Sequence, residues 1–452
     1  MTKKASPPED LSRDEMWDMI LQLRARVAEL EAQLSRPQKT SRNSSVPPAQ
    51  TRKGKRQTTS GKKRGAKAGH SGVSRENSEP DQVVECRAEI CTTCGKDVSG
   101  QEQELVNRHQ VVDIPPVKPM VIELHRYQTT CECGACVLGA YPPGYDEPQQ
   151  RFGPGVHSLL SYFNGTHHVA HQRLQQMMEA VFGLPISAGA IANSLQRTAG
   201  RLAEPAYEIL RDIRRSAVIG SDETGMRVEG TNWWLWTVQT PQASYFAIAD
   251  TRSGDVLEAL MFDAVAEVWC SDLFSAQLTA QTRRFAICHA HQLRDLQFAI
   301  DAGDTIFAPA FQLLLREGLH LTRVRDDLSC ETYQRSVEAL QLSAQVLLDM
   351  ETNHPEGQAL QRRYHRHWDK LWVFLERDDV PFDNNASERA LRPAVIHRKV
   401  IGGFRTEAGA EAYALYRTLE DTARKRGQPI LDALHEVFGE PMLASQGATG
   451  SQ

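Results

Sequence analysis

The 452-residue sequence predicts an α/β fold: a mixed sheet preceded, interrupted and followed by helical segments. Three observations lead there. Strand-length apolar runs cluster between residues 217 and 288, helical periodicity marks residues 152–215, and a second helical stretch runs from beyond Ala290 to about Glu376. Strands that first follow one another and then alternate with helices favour a mixed sheet over a purely parallel one.

Met16, Ile20, Leu23, Val27, Leu30 and Leu34 repeat with 4-3-4-3-4 spacing and have Arg and Glu between them. This a/d seam predicts a coiled coil over residues 1–36 and, through it, a homo-oligomer. Pro37 stops the helix by removing a backbone donor. Residues 37–80 then read as a flexible linker, because Ser, Gly, Pro, Lys and Arg offer almost no apolar surface to bury. Residues 36 to 75 hold twelve Lys or Arg and no Asp or Glu, although the whole chain carries a net charge of -5. A basic arm on an acidic body suits a polyanion, since each phosphate neutralised releases counterions; Lys62, Lys63 and Arg64 are its candidate contacts. Nine cysteines, odd in number and partly clustered, do not suggest a secreted disulfide framework. With no apolar leader and no run of eighteen apolar residues, the expectation is a cytoplasmic protein with no membrane partner.

Residues 81–150 contain Cys91-Thr-Thr-Cys94-Gly and Cys131-Glu-Cys133-Gly-Ala-Cys136, separated by 36 residues that include strand-like Val121 to Gln128. Paired cysteines in Gly-containing turns match the knuckles of a structural Zn²⁺ site. The expected ligands are Cys91, Cys94, Cys133 and Cys136, with Cys131 an adjacent alternative. Residues 151–215 predict a helical, helix-turn-helix-like DNA-binding region. One helix runs from Ala170 to Phe182, Gly183-Leu-Pro-Ile turns the chain, and Ser187 caps a second helix ending near Ala199.

The catalytic-type region begins at residue 216. Strands are expected at Val218–Ser221, Trp233–Thr240, Tyr245–Ala249, Val265–Ser271 and Phe285–Cys288, with a helix from Ser253 to Leu260. Residues 216–303 form the first part of this core, 304–380 an all-α insertion, 381–440 its C-terminal part, and 441–452 a disordered tail. Asp222 is placed at the end of the first strand, Asp272 at the end of the fourth, and Glu388 at the start of a helix where Asn385 would form a capping box with it. Three carboxylates so placed suit a pair of Mg²⁺ or Mn²⁺ ions, hard cations held by few carboxylates together with phosphate oxygens of a substrate. Arg389, Arg392, Arg398, Lys399 and Arg405, following the third acid, are candidate phosphate contacts. His289 and His291 read as structural.

These motifs resemble the large transposase of the bacterial insertion-sequence-66 family. The resemblance rests on Ser41-Arg-Asn-Ser-Ser-Val-Pro-Pro48, Gly69-His-Ser-Gly, the paired cysteines, Asp222-Glu-Thr-Gly, and Asp383-Asn-Asn-Ala-Ser-Glu388-Arg-Ala-Leu-Arg-Pro393 followed by Arg398-Lys399. It implies an RNase H-like core with a DDE triad at Asp222, Asp272 and Glu388, acting on double-stranded transposon ends and target DNA, in some members with small accessory proteins. Two departures stand out. Cys288-His-Ala-His291-Gln-Leu-Arg294 keeps the Cys, one His and one Arg of the usual run but loses its basic cluster, and Ser271-Asp272-Leu-Phe-Ser lacks the Gly and Tyr frequent after the second acid. Alternatives to a transposase are a zinc-dependent DNA-binding regulator, a catalytically silent relic, and a nuclease that cuts without joining.

Overall fold

The computed structural model describes residues 17–19, 21–24, 26, 37–40, 42–44, 76–145 and 151–439. Of the a/d seam only Leu23 falls among them, and Lys62, Lys63 and Arg64 lie outside the described residues. Thr40 and Asn43 form a small turn closed by the Asn43 side chain, which also donates to Asp301 at 2.9 Å, so this part of the linker rests on the catalytic-type region.

In the cysteine segment, β1 (Gln128–Thr130) and β2 (Cys136–Leu138) pair antiparallel around the Cys131–Gly134 turn. The expected strand from Val121 is therefore shorter and later. Two three-residue strands with exposed side chains have no face to bury, so the ladder does not extend beyond the turn that nucleates it.

Between residues 151 and 217 three helices lead into the main sheet: α1 (Pro154–Gly165), α2 (His171–Phe182) and α3 (Ala188–Arg214). Gly183 ends α2 in the left-handed conformation at φ 62°, and the Ser187 side chain accepts from Ala190 N as the N-cap of α3. The helix-turn-helix outline is present, yet α3 continues fifteen residues past Ala199, beyond Pro205. Leu202, Ala206, Ile209, Leu210 and Ile213 explain this: they prolong one apolar stripe that is buried against the sheet and the C-terminal helices.

The main sheet has the order β5-β4-β3-β6-β7. β3 (Val218–Val228), β4 (Thr231–Gln239) and β5 (Ser244–Ala249) form an antiparallel meander, and β6 (Ala266–Ser271) and β7 (Thr282–Ile287) run parallel to β3. All five strands arise where apolar runs predict them. The first does not end at Asp222, however. Pairing with β4 carries it to Val228, with Asp222 opposite Thr237, because the Glu223-Thr-Gly sequence has a partner strand to hold it extended. Side-chain alternation gives the sheet two buried faces. Ile219, Trp236, Val238 and Trp269 pack under α3 and α4 (Asp255–Met261), whereas Met226, Leu235 and Phe246 pack under α11 (Asn385–Ile401) and α12 (Glu407–Lys425).

Six α-helices lie between β7 and α11: α5 (His289–Ala302), α6 (Phe307–Arg323), α7 (Cys330–Asp349), α8 (Pro355–Arg366) and the short α9 (Trp368–Leu371) and α10 (Val373–Glu376). The insertion shares one core with the sheet, since Phe307, Phe311, Leu315, Leu340 and Tyr364 belong to the same cluster as Val268, Cys270 and Ile287. α13 (Ile430–Phe438) closes the described chain.

β5 is an edge strand, and α12 protects it. Thr418 Oγ1 accepts from Phe246 N at 3.0 Å, and Thr422 Oγ1 both accepts from Ser244 N and donates to Ser244 O at 3.1 Å. Side chains of a helix thus satisfy groups that would otherwise invite a foreign strand.

A buried histidine pair gives the fold a pH dependence. His397, from α11, lies between Phe404 and Tyr413, with centroids at 5.2 and 4.2 Å, and its Nδ1 is 3.3 Å from that of His168. Burial first, then His168, pushes His397 down to about 3. The unfolded chain, with His near 6.5, binds the proton more readily than the folded one, so stability falls as pH drops from about 6.5 toward 3. We expect the melting temperature to be lower at pH 5 than at pH 7, and the difference to shrink in His397→Phe, which keeps the aromatic packing.

Candidate active site

The parallel pairing of β3 with β6 aligns Gly220 with Cys270, so Asp222 and Asp272 each stand two residues beyond matched positions. Even-numbered residues of both strands share a face, which brings the two carboxylates to one side of the sheet. Glu388 arrives from α11. Its helix is held there by Asn384, whose Nδ2 donates to Ser221 O at 2.7 Å and whose N–H donates to Cys288 Sγ at 3.1 Å. Gly220 allows this close seating: a Cβ there would come within 2.5 Å of Gln239 Nε2 and 3.0 Å of Ser387 Oγ. The capping box differs from expectation. Asn384, not Asn385, is the N-cap, Ser387 Oγ donates to its Oδ1 at 2.7 Å, and Asp383 Oδ1 accepts from Asn385 N. Glu388 is thereby released from a capping duty and points into the site.

The three acids act on one another electrostatically. Burial raises Asp222 well above the usual carboxylate range, and the charges of Glu223, Asp272 and Glu388 raise it further. Glu223, the next residue on the strand, faces the other way. Arg252 donates to its Oε1 at 2.9 and 2.6 Å, and Gln277 Nε2 donates to its Oε2. Gln277 is also bonded to Ser221, which accepts from Trp269 Nε1 at 2.8 Å, so a buried polar network behind the strand fixes the backbone that carries Asp222.

Two residues read as structural or passed over have places in the site. His291 Nδ1 and Arg294 Nη2 each lie 3.7 Å from Glu388 Oε1. Burial, followed by the Arg294 charge, keeps His291 below its ordinary pKa and hence neutral near pH 7. Cys288, His291 and Glu388 place ligand atoms within 4.8 Å of one another. The signal in the sequence for His291 and Arg294 was the Cys288-His-Ala-His291-Gln-Leu-Arg294 run, which opens α5 directly after β7. His289 does prove structural, wedged between Phe374 and Phe382 at 4.7 Å.

Asp222, Asp272 and Glu388 offer the oxygen donors that hard divalent cations take, but among the described residues the group whose ligand atoms all lie within 4.8 Å is Cys288, His291 and Glu388, not the three acids. The charges of Asp272 and Glu388 both act on the buried Asp222, and Glu388 Oε1 is buried without a hydrogen-bond partner. Among the cysteines, N–H groups of Cys94 and Thr93 hold the Cys91 thiol below its ordinary range, and those of Cys133 and Glu132 do the same for Cys131. The second knuckle-like turn is therefore Cys131-Glu-Cys133-Gly. Cys136 lies on β2 with its Sγ 3.8 Å from Gln128 Oε1. Among the described residues, the cysteines of the two turns form no ligand cluster of three or more; that of Cys288, His291 and Glu388 does.

Of the basic residues after the third acid, Arg389, Arg392, Lys399 and Arg405 are exposed, whereas Arg398 turns inward and donates to Gly225 O.

The mixed sheet thus carries Asp222 on β3 and Asp272 just beyond β6, with Glu388 on a following helix beside Arg294. The chain belongs to the Transposase IS66 family, whose model matches residues 149–412. It is also similar to the uncharacterized protein y4hP of Sinorhizobium fredii, 22% identical over 391 residues that cover 77% of this chain and 70% of that one. The uncharacterized protein y4jO of the same organism is 35% identical over 93 residues, 21% of this chain and 29% of its own. Family membership carries a role in transposition and DNA binding. Among the described residues, no helix is long and apolar enough to cross a membrane.

Proposed function

We propose that the protein is a DDE transposase that binds the inverted repeats of an insertion sequence, cleaves their 3′ ends and joins them to target DNA. The observation that carries the reading is the placing of Asp222 and Asp272 on one face of a sheet of order 3-2-1-4-5, the order of an RNase H-like core, with Glu388 near enough for its charge to act on Asp222. Asp222, the acid whose pKa both others raise, would be the shared ligand, with Asp272 and Glu388 each completing one site. With two Mg²⁺ or Mn²⁺ ions bound, such a centre generates hydroxide from water and steadies the leaving 3′ oxygen. In the first step the water oxygen bonds to phosphorus as the 3′ oxygen leaves and takes up a proton. In the second, that 3′ hydroxyl attacks a target phosphodiester, one P–O bond forming for each one broken, so no external energy source is needed.

The remaining residues position. His291 and Arg294 would steady the Glu388 carboxylate, and the Arg252–Glu223 pair would keep the Asp222 strand in register. Arg389, Arg392, Lys399 and Arg405, together with Lys62, Lys63 and Arg64, would hold phosphates. The exposed face of α3, with Asn193, Gln196 and Arg197, would meet the major groove at the repeats. Structural Zn²⁺ would be held by Cys91 and Cys94 with Cys133 and either Cys131 or Cys136, and the N-terminal seam would pair subunits. Purified protein with Mg²⁺ should convert a labelled duplex carrying the repeats that flank its gene into a product joined to plasmid DNA. Nicks without joined product would reduce the protein to a nuclease, and binding without nicks to a regulator.

A further inference from the structure

Beside Asp272 a cleft of about 540 Å³ opens between the sheet edge and the helical insertion. Its far wall is α8. Ala359, Arg362, Arg363 and Arg366 line the cleft at positions i, i+3, i+4 and i+7, a single stripe of that helix. The opposite stripe, Gly357, Leu360, Gln361 and Tyr364, is buried in the insertion core, so packing fixes which way the arginines face. Arg363 is paired with Asp295 on α5. Arg362 and Arg366 are exposed, and among the described residues neither has a carboxylate within 4.0 Å.

This is not the pattern of a solvated helix face, where charges of both signs alternate, as Arg335 and Glu331 do on α7. The α8 helix has one acid, Glu356, in its first turn. Cations at a helix C-terminus complement the helix dipole, which accounts for Arg363 and Arg366 in sequence but not for the convergence of three arginines on one acid-floored cleft. The field on that wall is positive: after burial, the charges of Lys370 and Arg366 are what hold His367 below its ordinary pKa. Acids on the floor and unpaired guanidinium groups on the wall match a polymer that presents phosphate to both. Arg offers phosphate oxygens a planar fork of donors.

We propose that Arg362 and Arg366 grip the phosphodiester backbone of DNA beside the scissile phosphate, making the helical insertion one wall of the substrate channel. This rests on the transposase reading, and the test separates the two. Full-length protein is titrated into a fluorescein-labelled duplex carrying the flanking repeat, and affinity is measured by anisotropy from low to high salt. Wild type is compared with Arg362→Ala/Arg366→Ala, with Arg362→Gln/Arg366→Gln, and with Arg335→Ala as a surface control. Each phosphate contact adds about 0.9 to the slope of log affinity against log salt, so either double variant should lower that slope by about 2 and weaken binding at least tenfold at 0.15 M salt. The control should match wild type, and thermal melts of the double variants should too, because both arginines are exposed. An unchanged slope and affinity in the double variants, with wild type binding and nicking DNA, would overturn the assignment of the stripe alone. Wild type that neither binds nor nicks would overturn both readings.

Discussion

Asp222→Asn should abolish end cleavage, by a factor of a thousand or so or more, while leaving binding of end DNA within a few-fold of wild type. The charges of Asp272 and Glu388 both act on this side chain, and under the proposed chemistry an amide of the same shape could not share cations with them. Binding should survive because the proposed phosphate contacts lie on other elements. A second consequence is more diagnostic. In the absence of divalent metal, the ionised Asp222 is buried among like charges, which raises its pKa in the folded state. A raised folded pKa means that the folded chain binds the proton more tightly, so above the unfolded value near 3.8 ionisation costs stability, increasingly as pH rises. The neutral variant should therefore melt higher than wild type in EDTA at pH 7, by a few degrees for about 1 kcal/mol, and the gap should close or reverse when Mg²⁺ is added. Equal melting in EDTA would mean that the acids are not crowded.

Arg417→Ala should have the largest effect on stability. Arg417 is fully buried on α12, donates to Glu420 and to Ala390 O at 3.1 Å, lies 3.5 Å from Asp421, and stacks 5.3 Å over Phe246. Its removal takes a buried cation from Glu420 and leaves Asp421 with Arg424 and Lys425 at 3.9 Å, and it frees a carbonyl of α11, the helix that bears Glu388. Breaking a buried pair costs about 3–5 kcal/mol. Arg424, half-exposed at 2.8 Å from Glu420, still reaches that carboxylate, which favours the lower end. A loss of about 3 kcal/mol corresponds to a fall on the order of 10 °C in melting temperature. Arg417→Met/Glu420→Leu should recover most of it, since an apolar replacement of a whole buried pair is often neutral. If the double variant is no more stable than Arg417→Ala, the network is needed for packing rather than for charge balance.

The sheet was legible in the sequence because period-two apolar runs report burial directly. All five strands and the helix over Asp255–Met261 fall where those runs lie. What escaped depends on partners distant in sequence. That β3 continues through Asp222 is decided by β4, and that α3 outruns Ala199 is decided by the sheet and C-terminal helices under Leu202 to Ile213. At the site, the three acids could be named from local motifs, whereas His291 and Arg294 owe their roles to α11 folding back across almost a hundred residues. The arginines of α8 lay inside a long helical stretch whose pattern shows amphipathicity but not what the polar face looks toward. Asn384 was misjudged in favour of its neighbour Asn385 because a cap is defined by backbone geometry rather than by residue type.

The most direct test of the central assignment is single-turnover nicking of a labelled duplex carrying the flanking repeat, with Mg²⁺, by wild type and Asp222→Asn side by side. The account predicts a nick at the 3′ boundary of the repeat from wild type alone, both proteins binding the duplex equally. A nick of equal rate from Asp222→Asn would contradict it, and would move the chemistry away from the three acids.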